Sequence, residues 1–240
     1  MLRFLRSLLI LCAAVLMPAA AASAQSPEAD VSVPYRDYAL GAEDAPIELI
    51  EYASFSCPHC GHFHEQVWPV IQTEFVETGQ LRFIFRPIVT QPVQIAAASA
   101  ILATCAGEER YFDAVDLLFF EQDNVFSTIR EQGDVLAIYN RIAGAVGLTP
   151  EDFETCLQTP EYTDRVTQTI EMANADGISG TPNFLIQGRL LKVEMVDGTL
   201  TPTLDGMPVI INGERLSGDL DADNFRRIVL HFLNESDSDN

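Results

Sequence analysis

IELIEYASFSCPHC, residues 47–60, is a largely apolar run that ends on two cysteines separated by two residues. Residues 47–52 read as a central strand covered on both faces, because apolar and β-branched side chains dominate both alternating sets. Beyond Cys57 the apolar positions Phe63, Val67, Val70, Ile71 and Phe75 recur at helical spacing. They predict a helix from Cys57 towards Glu77, kinked at Pro69, whose ring clashes with the carbonyl four residues back. A cysteine pair at a strand-to-helix junction can close into a disulfide or stand open as a dithiol. The first N–H groups of such a helix lack partners within it, so they and the helix dipole favour an anion at Cys57. Pro58 suits the first turn, and a protonated His59 would place positive charge beside the sulfur. Each effect lowers the Cys57 pKa, which stabilises the reduced pair and makes its disulfide a better oxidant. Cys60, one turn further on, is then the resolving thiol.

Glu51 breaks the apolar run near its end. A carboxylate in a buried strand is costly and its pKa rises unless it is paired. Six residues before Cys57, it is positioned to lie beneath the dithiol and take the proton Cys60 must lose, unless the position is an edge open to water. Arg82 and Arg86 alternate with Leu81, Phe83 and Phe85 in the next strand, and either could pair with Glu51 or face solvent. A CxxC is also half of a zinc knuckle, and His59, His62 and His64 keep open a rival reading as a metal-binding or metal-delivery protein. Taken alone, His62 and His64 read as surface or groove residues of a helix, and Trp68 reads as core.

Residues 1–24 carry Arg3 and Arg6, then an apolar stretch, then Ala22-Ser23-Ala24, the pattern of a secretory signal cleaved before Gln25. Its loss takes the formal net charge from −21 to −23, because Arg3 and Arg6 leave with it. Nucleic acid is a poor partner for so acidic a surface. Export also removes Cys12 and leaves Cys57, Cys60, Cys105 and Cys156 in a compartment where disulfides persist. Cys105 and Cys156 can form a structural disulfide, with two buried free thiols as the alternative.

Residues 25–35 read as a loose leader. Residues 81–88 predict a strand, and from residue 92 to about 175 the pattern is helical, with segments at 93–105, 108–120, 135–146, a short helix opened by Thr149-Pro150-Glu151-Asp152, and 162–176. A strand is expected over 178–186, with Thr181-Pro182 near its head as a candidate cis bond. Residues 188–207 read as irregular, 209–216 as a hairpin turning at Asn212-Gly213, 221–234 as the closing helix, and 235–240 as a disordered acidic tail. Helices between strand-rich ends predict an α/β fold with an all-helical insertion, divided as 36–89, 90–175 and 176–234.

Glu51, Ser54-Phe55-Ser56 leading into Cys57-Pro58-His59-Cys60, the helical insertion, and Gly180-Thr181-Pro182 together resemble the thioredoxin superfamily, and within it the periplasmic DsbA-like thiol:disulfide oxidoreductases. The resemblance implies a thioredoxin fold interrupted by the helical domain, Cys57 as exposed nucleophile, Cys60 as its buried partner, Glu51 as the proton-handling carboxylate and Pro182 as a cis-proline facing the sulfurs. It also implies substrate binding at Thr181 and Pro182 and no cofactor beyond the Cys57–Cys60 redox disulfide. The implied location is the periplasm, the implied clients are folding exported polypeptides, the implied reoxidant is a DsbB-like membrane protein, and the chain is expected to act as a monomer. Threonine before the proline is similar to the isomerase and reductase branches, which keeps that direction of electron flow as an alternative.

Overall fold

The computed structural model describes residues 35–238. The secretory signal at 1–24, the leader up to residue 34, and positions 239 and 240 lie outside the described residues. Strands β1 (Ala39–Leu40) and β2 (Ile47–Ala53) lead into α1 (Pro58–Gln66), α2 (Trp68–Ile71), a π-helical turn (Gln72–Val76) and β3 (Leu81–Pro87). The helical stretch follows as α3 (Val93–Cys105), α4 (Tyr111–Phe120), α5 (Gln122–Arg130), α6 (Val135–Ala145), α7 (Pro150–Gln158) and α8 (Pro160–Ala175). The chain then returns to strands β4 (Asn183–Ile186), β5 (Arg189–Val196), β6 (Thr199–Leu204), β7 (Met207–Pro208), β8 (Ile210–Ile211) and β9 (Glu214–Arg215), and closes with α9 (Ala222–Ser238).

The main sheet runs β1-β3-β2-β4-β5-β6-β7, with β2 parallel to β3 and antiparallel to β4. β2 is therefore central, as its continuous apolar character requires. Alternation splits its side chains between two layers. Ile47, Leu49 and Ala53 join the large core shared with α1, α3, α4 and α9, while Ile50 and Tyr52 pack on the opposite face with Ile84, Leu185 and Ala173 of α8. The helical insertion has no separate core: Leu102, Tyr111, Val115 and Phe119 belong to the same buried cluster as the sheet residues Phe83, Phe85 and Phe184. α7 begins at a Thr149–Asp152 capping box, the N-terminal signal present in the sequence.

Several expectations are corrected. The helix after Cys57 is not continuous: α1 stops at Gln66 and α2 restarts at Trp68, because Pro69 can neither donate to nor pack against the carbonyl of the preceding turn. The residues read as irregular over 188–207 form β5 and β6, paired from Leu191↔Leu204 to Val196↔Thr199. Their turns are Asp197-Gly198 (φ 51° and 77°) and Asp205-Gly206 (φ 53° and 76°), pairs that accept the left-handed backbone a tight hairpin demands. The strand expected over 178–186 is confined to β4, and the residues before it form a loop. α5 has no counterpart among the expected segments, and α9 runs to Ser238 into the stretch read as an acidic tail. The hairpin at Asn212-Gly213 is present as β8 and β9.

Candidate active site

Cys57 is the N-cap of α1, with extended backbone (φ −92°, ψ 119°), no side-chain cap and Pro58 following at the first helical position. The strand-to-helix turn before it is held by two sets of contacts. Ser54, Ser56 and Thr90 share hydroxyl hydrogen bonds of 2.8–3.2 Å. Gln122 of α5 donates to the carbonyls of Phe55 (2.8 Å) and Cys57 (3.1 Å). Gly61 leaves room for that amide, since a Cβ there would sit 2.3 Å from Gln122 Oε1.

Both cysteines are thiols, Cys57 half-buried and Cys60 fully buried. The Cys57 pKa is lowered to about 5. The leading cause is the hydrogen bond from the Cys60 thiol, which outweighs partial burial. The Thr181 side chain and the backbone N–H groups of Cys60 and His59 add to it. As a thiol, Cys57 can instead donate to the Thr181 carbonyl at 3.4 Å, a contact the thiolate gives up. Cys60 is pushed far the other way, first by burial, then by serving as donor to Cys57, then by the charge of Glu51. His59, whose imidazole was expected to supply positive charge, contributes through its backbone N–H, and its side chain is exposed.

Glu51 has no exposed surface (0 %) and faces the α1 side of the sheet between Phe85 and Phe184, its register partners on β3 and β4. Burial raises its pKa, and the charge and hydrogen bond of His64 oppose that rise. His64 Nε2 lies 3.0 Å from Glu51 Oε2, both side chains buried. The reading of His64 as a surface residue is therefore wrong. Cys60, Phe63, His64 and Val67 occupy i, i+3, i+4 and i+7, the buried stripe of α1, so the signal was present in the spacing. Neither arginine reaches Glu51. Arg82 pairs with Glu48 (3.1 Å) and Arg86 with Asp37 (2.7 Å), on the face where Tyr52 also lies. Gln122 carried no comparable signal, because its role depends on how the insertion folds back over α1.

The Thr181–Pro182 peptide is cis. This loop borders a groove of about 800 Å³ beside Cys57, lined by His59, His62, Phe63, Lys192 and Leu200 among others. Cys105 and Cys156 are joined by a disulfide with Cα atoms 6.1 Å apart, linking the end of α3 to α7. Among the described residues no group of three or more His, Cys, Asp or Glu side chains is arranged to hold a metal ion, so His59, His62 and the two cysteines form no such cluster.

A dithiol at the N-terminus of the first helix, a cis-proline loop against its outer sulfur and a carboxylate under its inner one define a protein of the thioredoxin class. The chain matches the thioredoxin family over residues 35–206 and belongs to that family. It is 27 % identical over 158 residues to a Rickettsia bellii protein named as an inferred protein-disulfide oxidoreductase, covering 63 % of this chain and 57 % of that one. The chain thus spans a little over half the length of such curated relatives. The crystal structure of Wolbachia pipientis α-DsbA1 superposes with a TM-score of 0.64 at 25 % identity, covering 85 % of this chain and 94 % of that one. A Salinispora tropica protein named Na(+)/H(+) antiporter NhaA 3 is 30 % identical over 158 residues, 65 % of this chain but 22 % of its own length. Among the described residues no helix is long and apolar enough to cross a membrane.

The lowered Cys57 pKa gives an expected result. The alkylation rate of the reduced protein by iodoacetamide should follow a single ionisation at about 5, with Cys60 unmodified. The same shift favours the folded dithiol form above the unfolded thiol pKa of ~8.5 and ceases to do so as pH falls through the folded value. Reduced protein should therefore lose stability on acidification through that range while Cys57→Ser does not. An alkylation midpoint near that unfolded value would remove the basis for an activated thiolate.

Proposed function

We propose that this chain is a periplasmic dithiol oxidase that introduces disulfides into exported polypeptides through Cys57 and Cys60, with no other cofactor. A substrate thiolate attacks the Cys57 sulfur of the closed pair, and the Cys57–Cys60 bond breaks with its electrons leaving on Cys60. A second substrate thiolate then attacks the mixed disulfide, so the substrate is oxidised and the pair is left as a dithiol. A DsbB-like membrane protein takes up the two electrons and restores the disulfide. The client lies in the groove beside Pro182 as an added strand on the Thr181 backbone, a mode tolerant of sequence, and the chain acts as a monomer.

The observation that carries this reading is the opposed pair of thiol environments: a half-exposed sulfur whose ionised form is favoured, hydrogen-bonded by a buried one whose ionised form is not. Favouring the Cys57 thiolate favours the reduced protein, and so makes the disulfide oxidising. Equilibration with glutathione tests this. The expected reduction potential is more positive than about −180 mV, and a value near the −270 mV typical of thioredoxin would overturn the reading. Thr181 supports a second reading, a disulfide isomerase or reductase on the same fold. In that case the protein should be isolated from cells as the dithiol rather than the disulfide.

A further inference from the structure

Any reaction of this dithiol requires Cys60 to shed and regain a proton, yet Cys60 and Glu51 both have 0 % exposed surface. Glu51, whose charge acts on Cys60, meets His64 Nε2 through Oε2 at 3.0 Å, and among the described residues Oε1 has no hydrogen-bond partner. The imidazole repeats the pattern, with Nε2 engaged and Nδ1 unclaimed. Each group thus has one coupled end and one open end, as a two-member proton relay requires. The ring is fixed by stacking on Phe119 of α4, with centroids 3.9 Å apart and planes 13° apart. It also forms part of the wall of a cavity of about 730 Å³ between α1 and α4–α5, lined by Trp68, Asp116 and Gln122 and rimmed by the exposed Pro69 and Phe120. The charged groups facing His64 are Glu51 from β2 and Asp116 from α4.

We propose that His64 connects the buried carboxylate to solvent, completing a path Cys60–Glu51–His64–cavity on the α4–α5 side of α1, where the cavity shares only His62 with the lining of the substrate groove. The inference rests on the dithiol reading above and assigns His64 a positioning and relay role exercised through Glu51. When substrate attack expels Cys60 as thiolate, Glu51 gives it a proton, His64 replaces that proton on Glu51, and solvent in the cavity replenishes His64. When Cys60 attacks, the same proton travels outward. Separating the two routes lets a bulky client fill the groove without sealing off proton exchange. A purely structural pair pinning α1 to β2 would show the same distances, so the test must separate packing from proton transfer.

Reduced protein mixed with the aromatic disulfide 5,5′-dithiobis(2-nitrobenzoate) should release thionitrobenzoate in two phases. In the first, the Cys57 thiolate attacks one reagent sulfur and expels one thionitrobenzoate. In the second, Cys60 loses its proton, attacks the Cys57 sulfur and expels the other, leaving the Cys57–Cys60 disulfide. His64→Ala should leave the first phase unchanged and slow the second by on the order of 10²-fold, the lower range for positioned proton transfer. Added imidazole, entering the space left beside the cavity, should restore the second phase in proportion to its concentration. Thiophene, a ring of similar size without a basic nitrogen, should not. A second phase at the wild-type rate in His64→Ala, or equal rescue by thiophene, would overturn the relay. Should that variant not fold, His64→Gln, which can keep a hydrogen bond to Glu51 but cannot pass a proton through a ring, should show the same selective slowing. An unslowed second phase there also overturns the proposal. Absence of the second phase in the wild-type protein would instead defeat the dithiol reading itself, and the relay with it.

Discussion

Cys57→Ser is expected to abolish oxidation of reduced ribonuclease, a fall on the order of 10⁴-fold or more, as when a covalent mechanism loses its nucleophile. Cys60→Ser is expected to fail differently. The half-exposed Cys57 sulfur remains at the helix N-terminus beside Thr181, so it can still exchange into a mixed disulfide. Cys60, whose attack on the Cys57 sulfur reverses the first exchange step and frees a client that is not resolved by its own second thiol, is gone. Clients should therefore accumulate covalently on Cys60→Ser as reduction-sensitive adducts visible on non-reducing gels, and none should appear on Cys57→Ser. The Cys60 thiol is also the leading hydrogen-bond donor to the Cys57 thiolate. The Cys57 pKa in Cys60→Ser should consequently depend on whether the serine hydroxyl reaches the same sulfur. Adducts on Cys57→Ser instead would reverse the assignment of the two thiols.

Removing the Cys105–Cys156 bridge should cost stability rather than chemistry. The link closes a sequence separation of 51 residues, for which the chain-entropy model gives roughly 4 kcal/mol at 25 °C. For a chain of this size that corresponds to a fall in Tm of about 8–16 °C. Cys105→Ser with Cys156→Ala is the appropriate pair, because Cys105 is partly exposed while Cys156 is buried against the core. Differential scanning calorimetry of the double variant should show this fall, with the Cys57 alkylation profile unchanged, since the bridge joins α3 to α7 and contributes no contact to the dithiol. A Tm within ~2 °C of wild type would mean that the unfolded chain is already compact enough for the bridge to exclude few conformations. A shifted Cys57 profile would mean that the insertion strains the active-site turn, with Gln122 as the obvious route.

Legibility followed the range of the forces involved. The junction of β2 and α1 could be read because its determinants are local: apolar alternation, a proline suited to a first turn, and two thiols one helical turn apart. The β5–β6 and β6–β7 hairpins were equally local, since Asp197-Gly198 and Asp205-Gly206 are strong turn signals, but the polar and proline-containing residues between them masked the alternation. α5 escaped because its apolar stripe is thin: among its residues only Gln122 and Val125 are buried.

Delivery of a cysteine pair by a strand to a helix N-terminus, with a carboxylate six residues upstream, follows from local residues alone, because backbone periodicity and helix polarity act within a few residues. What that carboxylate meets depends on long-range packing. Period-2 alternation turns Glu51 to the α1 side and the two arginines to the other, and the crossing of α1 over β2 brings His64 to it. Folding of the insertion back over α1 then supplies Phe119 against the imidazole and Gln122 against the turn. Burial removes water as the competing partner, so spatial neighbours distant in the chain, rather than adjacent residues, set which protonation states these groups favour.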